Sequence, residues 1–300
     1  RVLFSNQRIT VEFFDSLKTF LNKMKYHHLI LALAIGSLFS CQEQVENTTS
    51  ADEVKVADSQ DYLIHSTLYA QSAAEYKAMC YQAYELAEIQ VERALKKGLK
   101  RPTVILDLDE TVLDNSPYTA WQIETNTPYS SKSWAKWVED ASAEAVPGSI
   151  EFLTWANNNG VDLYYISNRS ADGLEATIKN LQNLGVPQAD STRIFLKTDT
   201  SDKSERRAKV KAGAADIILY IGDNLGDYSE IWDKPSSPAE RLSNVRVHRD
   251  EMGVKFILLP NSLYGTWEGA IYNYDRSMDD SQRDSLRRSL LKPWEPLDTY

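Results

Sequence analysis

The sequence predicts an α/β fold: a Rossmann-like parallel sheet with helices on both faces, preceded by an N-terminal helical segment and interrupted by a small helical cap. Three observations carry this expectation. Short, continuously apolar runs recur at TVIL (103–106), DLYYI (162–166), RIFL (193–196), DIILYI (216–221) and KFILL (255–259). Strands covered on both faces read in this unbroken way, whereas strands wet on one face alternate. The runs are separated by stretches of helical period, the order that builds a parallel sheet. Polar residues gather directly after the runs, at 107–109, 167–169 and 222–224, and not within them.

Along the chain, Lys23 and Lys25 precede the apolar run 29–39, and Ser40-Cys41 follows. This charged, apolar, small-residue order is that of a secretory signal, and the run is too short to span a bilayer comfortably. LFSC at 38–41 resembles the bacterial lipoprotein box. Residues 1–40 are therefore expected to be a signal region whose true start is Met24, with lipidation at Cys41. Residues 42–60 are polar, acidic and without hydrophobic period, as expected of a solvated tether. Residues 61–300 are expected to form the folded domain.

Residues 61–98 read as one long helix or two, ending at Gly98. Tyr69, Ala73, Tyr76, Cys80 and Ala83 are spaced by four and three residues, which predicts a packed stripe. Cys80 is then a core residue with no expected disulfide partner. The segment 118–147 carries Trp121, Trp134 and Trp137 and is expected to form the cap. Helices are also predicted from Ser149 to Gly160 and along Leu174, Ile178, Leu181 and Leu184, stopped by Gly185 and Pro187.

With 300 residues, 42% hydrophobic and 25% charged, the chain suits one or two packed domains, which excludes disorder throughout. Its formal charge is −10, and residues 1–40 carry five basic and two acidic residues, so the remainder is more acidic still. Such a surface repels nucleic-acid backbones and argues against a polymeric DNA or RNA partner. A cation-filled acidic pocket still accommodates a small phosphate.

Ligands of open α/β sheets bind at the C-terminal strand ends, where all three polar clusters fall. Asp107, Asp109 and Asp223 together supply the oxygen-rich donors that Mg²⁺ prefers. Without a cation they repel one another and raise each other's pKa. Each position also has a plainer reading. An Asp after a strand is often a turn or capping residue, Ser167-Asn168 reads equally as a loop, Lys203 as a solvated residue of a first helical turn, and Asp227 as a helix cap.

DLDET at 107–111, ISN at 166–168, Lys203 and GDNLGD at 222–227 match in order the four motifs of the haloacid dehalogenase (HAD) superfamily of phosphohydrolases. DLDETVLDNSPY (107–118), SWAKWV (133–138), AVPGSIEF (145–152), ISNR (166–169), YIGDNLGD (220–227) and YGTWEG (264–269) further resemble the class C acid phosphatases, bacterial outer-membrane lipoproteins of the lipoprotein e type. The resemblance implies a nucleophile at Asp107 and an acid/base at Asp109, whose backbone carbonyl would meet the metal. It also implies carboxylate ligands at Asp107 and Asp223, an outer-sphere role for Asp227, and phosphoryl contacts from Ser167 and Lys203. Asn168, Arg169, Trp134 and Tyr264 are assigned to substrate, the last two as a sandwich around a nucleobase.

The expected protein is thus a lipid-anchored, Mg²⁺-dependent acid phosphatase at the bacterial outer membrane, facing the periplasm or the cell surface. Its expected substrates are 5′-nucleotides and aromatic phosphates, cleaved through an aspartyl phosphate. Two alternatives stand beside it: a haem-binding or adhesin-type surface lipoprotein, for which axial ligands are scarce because His65 and His248 are the only histidines outside the signal region and Cys80 is expected to be buried, and a phosphotransferase using the same site. The charged C-terminal stretch 275–300 is expected to pack on the domain or on a second subunit of a homodimer.

Overall fold

Each of the five apolar runs from residue 103 onward becomes a strand. Numbered along the chain, β1 is Pro102–Leu106, β2 Leu113–Asp114, β3 Glu144–Ala145, β4 Asp162–Ser170, β5 Ile194–Lys197, β6 Asp216–Gly222 and β7 Phe256–Leu258. Five of them form one sheet in the order β5-β4-β1-β6-β7, and every pairing in it is parallel. The structure, a computed structural model, describes residues 60–213, 215–232 and 236–294. The expected signal region, Cys41 and nearly all of the tether lie outside the described residues.

The strand order reverses at β1. From β1 the chain builds outward through β4 to β5, then crosses back to place β6 and β7 on the other side of β1. A crevice opens at the C-terminal end of the sheet where successive connections diverge in this way. β1 and β6 flank it, and the Asp107 N–H extends their pairing by donating to the Ile221 carbonyl at 2.9 Å. Leu106 lies in register with Tyr165 of β4 and Ile221 of β6. Asp107 therefore stands level with Ile166 and Gly222, with Ser167 and Asp223 one residue further along.

Helices cover both faces. Two precede the sheet, α1 (Ile64–Ser72) and α2 (Ala74–Leu95). The expected stripe is interrupted between them, because Ala73 adopts an extended backbone (φ −76°, ψ 127°). Tyr69 consequently lies 40% exposed and outside the core, while Tyr76, Cys80, Ala83, Tyr84, Ala87, Val91 and Ala94 form the buried face of α2. Cys80 is a free, buried thiol, as its position in the stripe predicts.

The cap begins and ends at a two-residue antiparallel ladder, β2 with β3, pairing Leu113 with Ala145 and Asp114 with Glu144. Between these strands stand α3 (Ser116–Glu124) and α4 (Ser131–Asp140). Pro117 opens α3, where its missing N–H costs nothing. Ser130 caps α4 by accepting from the Ser133 N–H at 3.1 Å. Ala141, in the left-handed region at φ 52°, closes it.

Along the remaining chain come α5 (Ser149–Asn158), α6 (Leu174–Asn183), α7 (Ser204–Ala212), α8 (Pro238–Val247), α9 (Thr266–Ile271) and α10 (Asp280–Ser289). The last lies in the charged C-terminal stretch and buries none of its residues. It is tied to the domain through Arg287, which donates to Glu268 at 3.0 Å and lies 3.8 Å from the Tyr62 ring centroid.

Candidate active site

The chain leaves extended geometry directly after β1. Leu108 turns its carbonyl to the N–H groups of Thr111, Val112 and Leu113, and Glu110 adopts φ 55°. This tight turn separates Asp107 and Asp109, two residues apart, into different surroundings. Asp107 accepts from Lys203 Nζ at 2.5 Å, and the same ammonium donates to Asp227 at 2.7 Å. Carboxylate oxygens of Asp107, Asp223 and Asp227 lie within 4.8 Å of one another. The carboxylate cluster expected from the sequence was Asp107, Asp109 and Asp223. In the structure the side chain gathered with Asp107 and Asp223 is that of Asp227, while the Asp109 carboxylate is paired elsewhere, in keeping with the backbone-carbonyl role that the resemblance implies for Asp109.

Asp227 is delivered by the turn Leu225–Asp227, in which Asn224 and Asp227 form a reciprocal capping box, the Asn224 N–H donating to Asp227 Oδ2 at 3.0 Å. Its plainer reading as a cap is therefore also correct, and capping leaves Oδ1 for Lys203. The approach requires Gly222, since a Cβ there would lie 2.7 Å from Asp227 Cγ. Asp223 is steadied by Asn261, whose amide donates to Oδ2 at 2.8 Å. Thr266 donates to Asn224 Oδ1 at 2.6 Å, so the segment carrying Tyr264 is joined to the same turn.

Three carboxylates around one lysine leave a net negative, water-poor pocket. Burial pushes the Asp107 carboxyl up to about 7, with Lys203 opposing the rise and Asp227 and Asp109 adding to it. Asp223 is driven well above the usual carboxylate range by burial and by the charges of Asp227 and Asp107. Burial lowers the Lys203 ammonium, but its two carboxylate partners outweigh that and hold it protonated. Unlike the solvated lysine of the plainer reading, Lys203 is 3% exposed. An all-oxygen donor set with unrelieved repulsion suits a hard divalent cation, which would settle both raised carboxyls in their ionised form.

Asp109 faces the other way. Arg169 donates to its Oδ1 through Nε at 2.9 Å with Nη2 in ion-pair contact at 2.8 Å, Asn115 Nδ2 donates to the same oxygen at 3.0 Å, and Ser167 Oγ donates to Oδ2 at 3.2 Å. Arg169, assigned to substrate by the resemblance, is here turned toward Asp109. The reason is strand periodicity: β4 continues through Ser170, so Ser167 and Arg169 share one buried face while Asn168 points outward. At 1% exposure, Arg169 is committed to Asp109, Asn115 and Thr177. Asn168 accepts from Arg206, which also donates to the Ser167 carbonyl at 2.5 Å and so clamps the end of β4 to α7.

Trp134 lies half-buried on α4, its ring centroid 5.9 Å from the Arg169 guanidinium and 5.1 Å from Tyr118. Tyr264, 38% exposed, stands on the segment after β7. The two occupy different elements, and among the described residues no ring contact joins them. His248 is held by Glu251 at 2.7 Å, and Cys80 is sealed in the core, so neither is presented as an axial ligand. The sequence reading did not single out Asn115, Glu110, Arg206, Arg207 or Asn261. Asn115 lies inside DLDETVLDNSPY but carries no charge pattern to mark it. Arg206 and Arg207 look like ordinary basic residues of a surface helix.

Residues 23–267 match the HAD superfamily, subfamily IIIB (acid phosphatase). The chain belongs to that family. It is thereby classed with the phosphomonoester hydrolases, and the five-stranded parallel sheet with flanking helices is that family's fold. Among solved structures, the class C acid phosphatase from Bacillus anthracis is 41% identical, with a TM-score of 0.74 over 79% of this chain and 99% of that one. The same Bacillus enzyme with tungstate bound gives a TM-score of 0.76, again at 41% identity, over 79% of this chain and all of that one. "Acid phosphatase 1" of Solanum lycopersicum is 29% identical over 134 residues, 42% of this chain and 52% of that protein. The "Stem 28 kDa glycoprotein" of Glycine max is 24% identical over 165 residues, 55% and 60% respectively. The chain thus spans between half and two thirds of the length of these curated relatives.

The raised carboxyls have a consequence for stability. A carboxyl that binds its proton more tightly when folded stabilises the fold below its unfolded pKa of about 4. That contribution is lost as pH rises through the folded value, about 7 for Asp107. Asp223→Asn relieves the repulsion while still accepting from Asn261. In metal-free protein it is expected to raise Tm by a few degrees at pH 8, on the order of 1 kcal/mol, and to change little at pH 4. Thermal unfolding at the two pH values checks this.

Proposed function

We propose that this chain hydrolyses phosphomonoesters through an aspartyl phosphate on Asp107, with Asp109 as acid and base and Mg²⁺ as the cation. The observation that carries the proposal is the separation of the two aspartates: Asp107 lies in a carboxylate and lysine cluster, and Asp109 in an arginine, serine and asparagine cradle. Asp107 attacks phosphorus and the bond to the leaving oxygen breaks. Splitting one hard displacement into two easier ones is the benefit of covalent catalysis.

Asp109 gives the departing oxygen its proton and afterwards takes one from the attacking water, which restores Asp107 and frees phosphate. Arg169 and Asn115 already converge on Asp109 Oδ1, whereas Oδ2 meets only the Ser167 hydroxyl, so Oδ2 is the atom that carries the proton. Lys203 compensates the charge of the incoming phosphoryl oxygens, and Ser167 is placed to donate to them. Phosphoryl transfer asks little more of a protein than such positioning and charge. Asp107, Asp223 and Asp227 would hold Mg²⁺, which lessens the repulsion between nucleophile and phosphate when bound. Tungstate bound by the Bacillus relative, a tetrahedral oxyanion like phosphate, supports a phosphate-sized ligand.

Nucleoside monophosphates and aromatic phosphates are the proposed substrates, with Trp134 and Tyr264 supplying faces on which an aromatic leaving group stacks. The support is that both rings are at least partly accessible and belong to segments bound to the site, one through Arg169 and one through Asn224. The proposed location is the bacterial outer membrane, through a lipid on Cys41, facing the periplasm or the cell surface. Lys23, Lys25, the apolar run 29–39 and LFSC support it. Among the described residues no helix is long and apolar enough to cross a membrane.

Asp107→Asn is expected to abolish phosphate release with no labelled phosphoenzyme trapped after acid quench; sustained turnover would sink the nucleophile assignment. EDTA is expected to silence the enzyme and added Mg²⁺ to restore it, with indifference to chelator counting against the cation. Trp134→Ala is expected to raise KM for nucleotides by about tenfold more than for small aliphatic phosphates, the equivalent of one stacked base at ~1–3 kcal/mol. Equal effects on both substrate classes would dismiss stacking.

A further inference from the structure

Asn115 joins the cap to the acid/base residue, and the chemistry of its partners fixes how its amide points. Its Oδ1 accepts from the Trp137 indole Nε1 at 2.8 Å and from Arg169 Nη2 at 3.3 Å. Indole and guanidinium are donors only. Turning the amide over would set its NH₂ against two further donors, so Nδ2 must face Asp109 Oδ1 at 3.0 Å and Glu110 Oε2 at 3.3 Å. The Asn115 N–H adds a second tie to Glu110 at 2.8 Å, and the residue is 1% exposed. Asp109 is thereby held from two sides, by Ser167 and Arg169 of β4 and by Asn115 at the foot of the cap.

Trp137 sits on α4 one turn beyond Trp134, and residues so spaced lie on neighbouring parts of one helix face. Trp134 approaches Arg169, and Trp137 orients Asn115. We propose that Asn115, locked by Trp137, is a positioning residue for Asp109, so that the seating of α4 sets how well Asp109 protonates the leaving oxygen. The proposal rests on the reading of Asp109 as general acid. Without the indole donor, Asn115 Oδ1 keeps only the longer contact from Arg169 Nη2 at 3.3 Å, and the amide is held less firmly. The Asp109 carboxylate then loses the rigidity of its support on the cap side.

The test compares kcat/KM for an alkyl phosphate, whose alkoxide leaves only with a proton, with that for 4-nitrophenyl phosphate, whose phenolate leaves readily without one. This ratio reports the steps through P–O cleavage and is blind to later hydrolysis of the phosphoenzyme. Trp137→Phe keeps a ring and removes the donor. It is expected to lose about tenfold more on the alkyl ester than on the nitrophenyl ester, a fraction of the ~10²–10⁴ available to a positioned acid.

Asn115→Ala is expected to show the same selectivity and decides the matter if Trp137→Phe does not fold. Asp109→Asn serves as the reference and should be the most selective of the three. Equal losses on both esters, or none, in a folded Trp137→Phe or Asn115→Ala beside a selective Asp109→Asn would overturn the positioning role alone. An unselective Asp109→Asn would overturn the acid assignment itself.

Discussion

The mutual repulsion of Asp107, Asp223 and Asp227 around a single ammonium is the constraint on which the rest of the site depends. Carboxylates forced this close in a buried place do not stay there by attraction to one another. They stay because each is fixed by a different element: Asp107 at the end of β1, Asp223 at the end of β6, and Asp227 by its own capping turn. The sheet supplies the rigidity, since β1 and β6 are neighbours at the point where the strand order reverses. Sequence thus becomes electrostatics through register, with Leu106 beside Ile221 bringing their successors to one level. The energy stored in that arrangement is what makes the pocket receptive to a cation and, with it, to phosphate.

Much of this was legible in the sequence. The five apolar runs became five parallel strands, and the motifs 107–111, 166–168, Lys203 and 222–227 came together at one sheet edge. What escaped was direction. Extending β4 by four residues past Ile166 turns Arg169 inward onto Asp109, and apolarity alone cannot signal a strand that ends in polar residues. The turn after Leu108 likewise sends Asp107 and Asp109, two residues apart, into different surroundings, which their spacing alone does not show. Asn115 was invisible for a different reason. A neutral amide has no pattern of charge or hydrophobicity, and its importance arises only from the donors that surround it.

The cap shows how specificity and chemistry come to share one element. A helix of ten residues carries both the ring nearest Arg169 and the indole that orients Asn115. Its ends are set by Ser130 and by the left-handed Ala141, so its rotation about its own axis is not free. Under the proposed mechanism, a leaving group stacked on α4 and the acid at Asp109 would thus be coupled through the same ten-residue helix.

Gly222 extends the constraint to the smallest scale. The absence of a side chain there lets the backbone at the end of β6 lie flat against Asp227, which in turn holds Lys203, which touches Asp107. Asp107, Lys203 and the capping turn are thus stacked like courses of stone on a position defined by one missing methyl group. A side chain there would disturb all three at once, whereas the exposed faces of the cap meet solvent and can change without touching them.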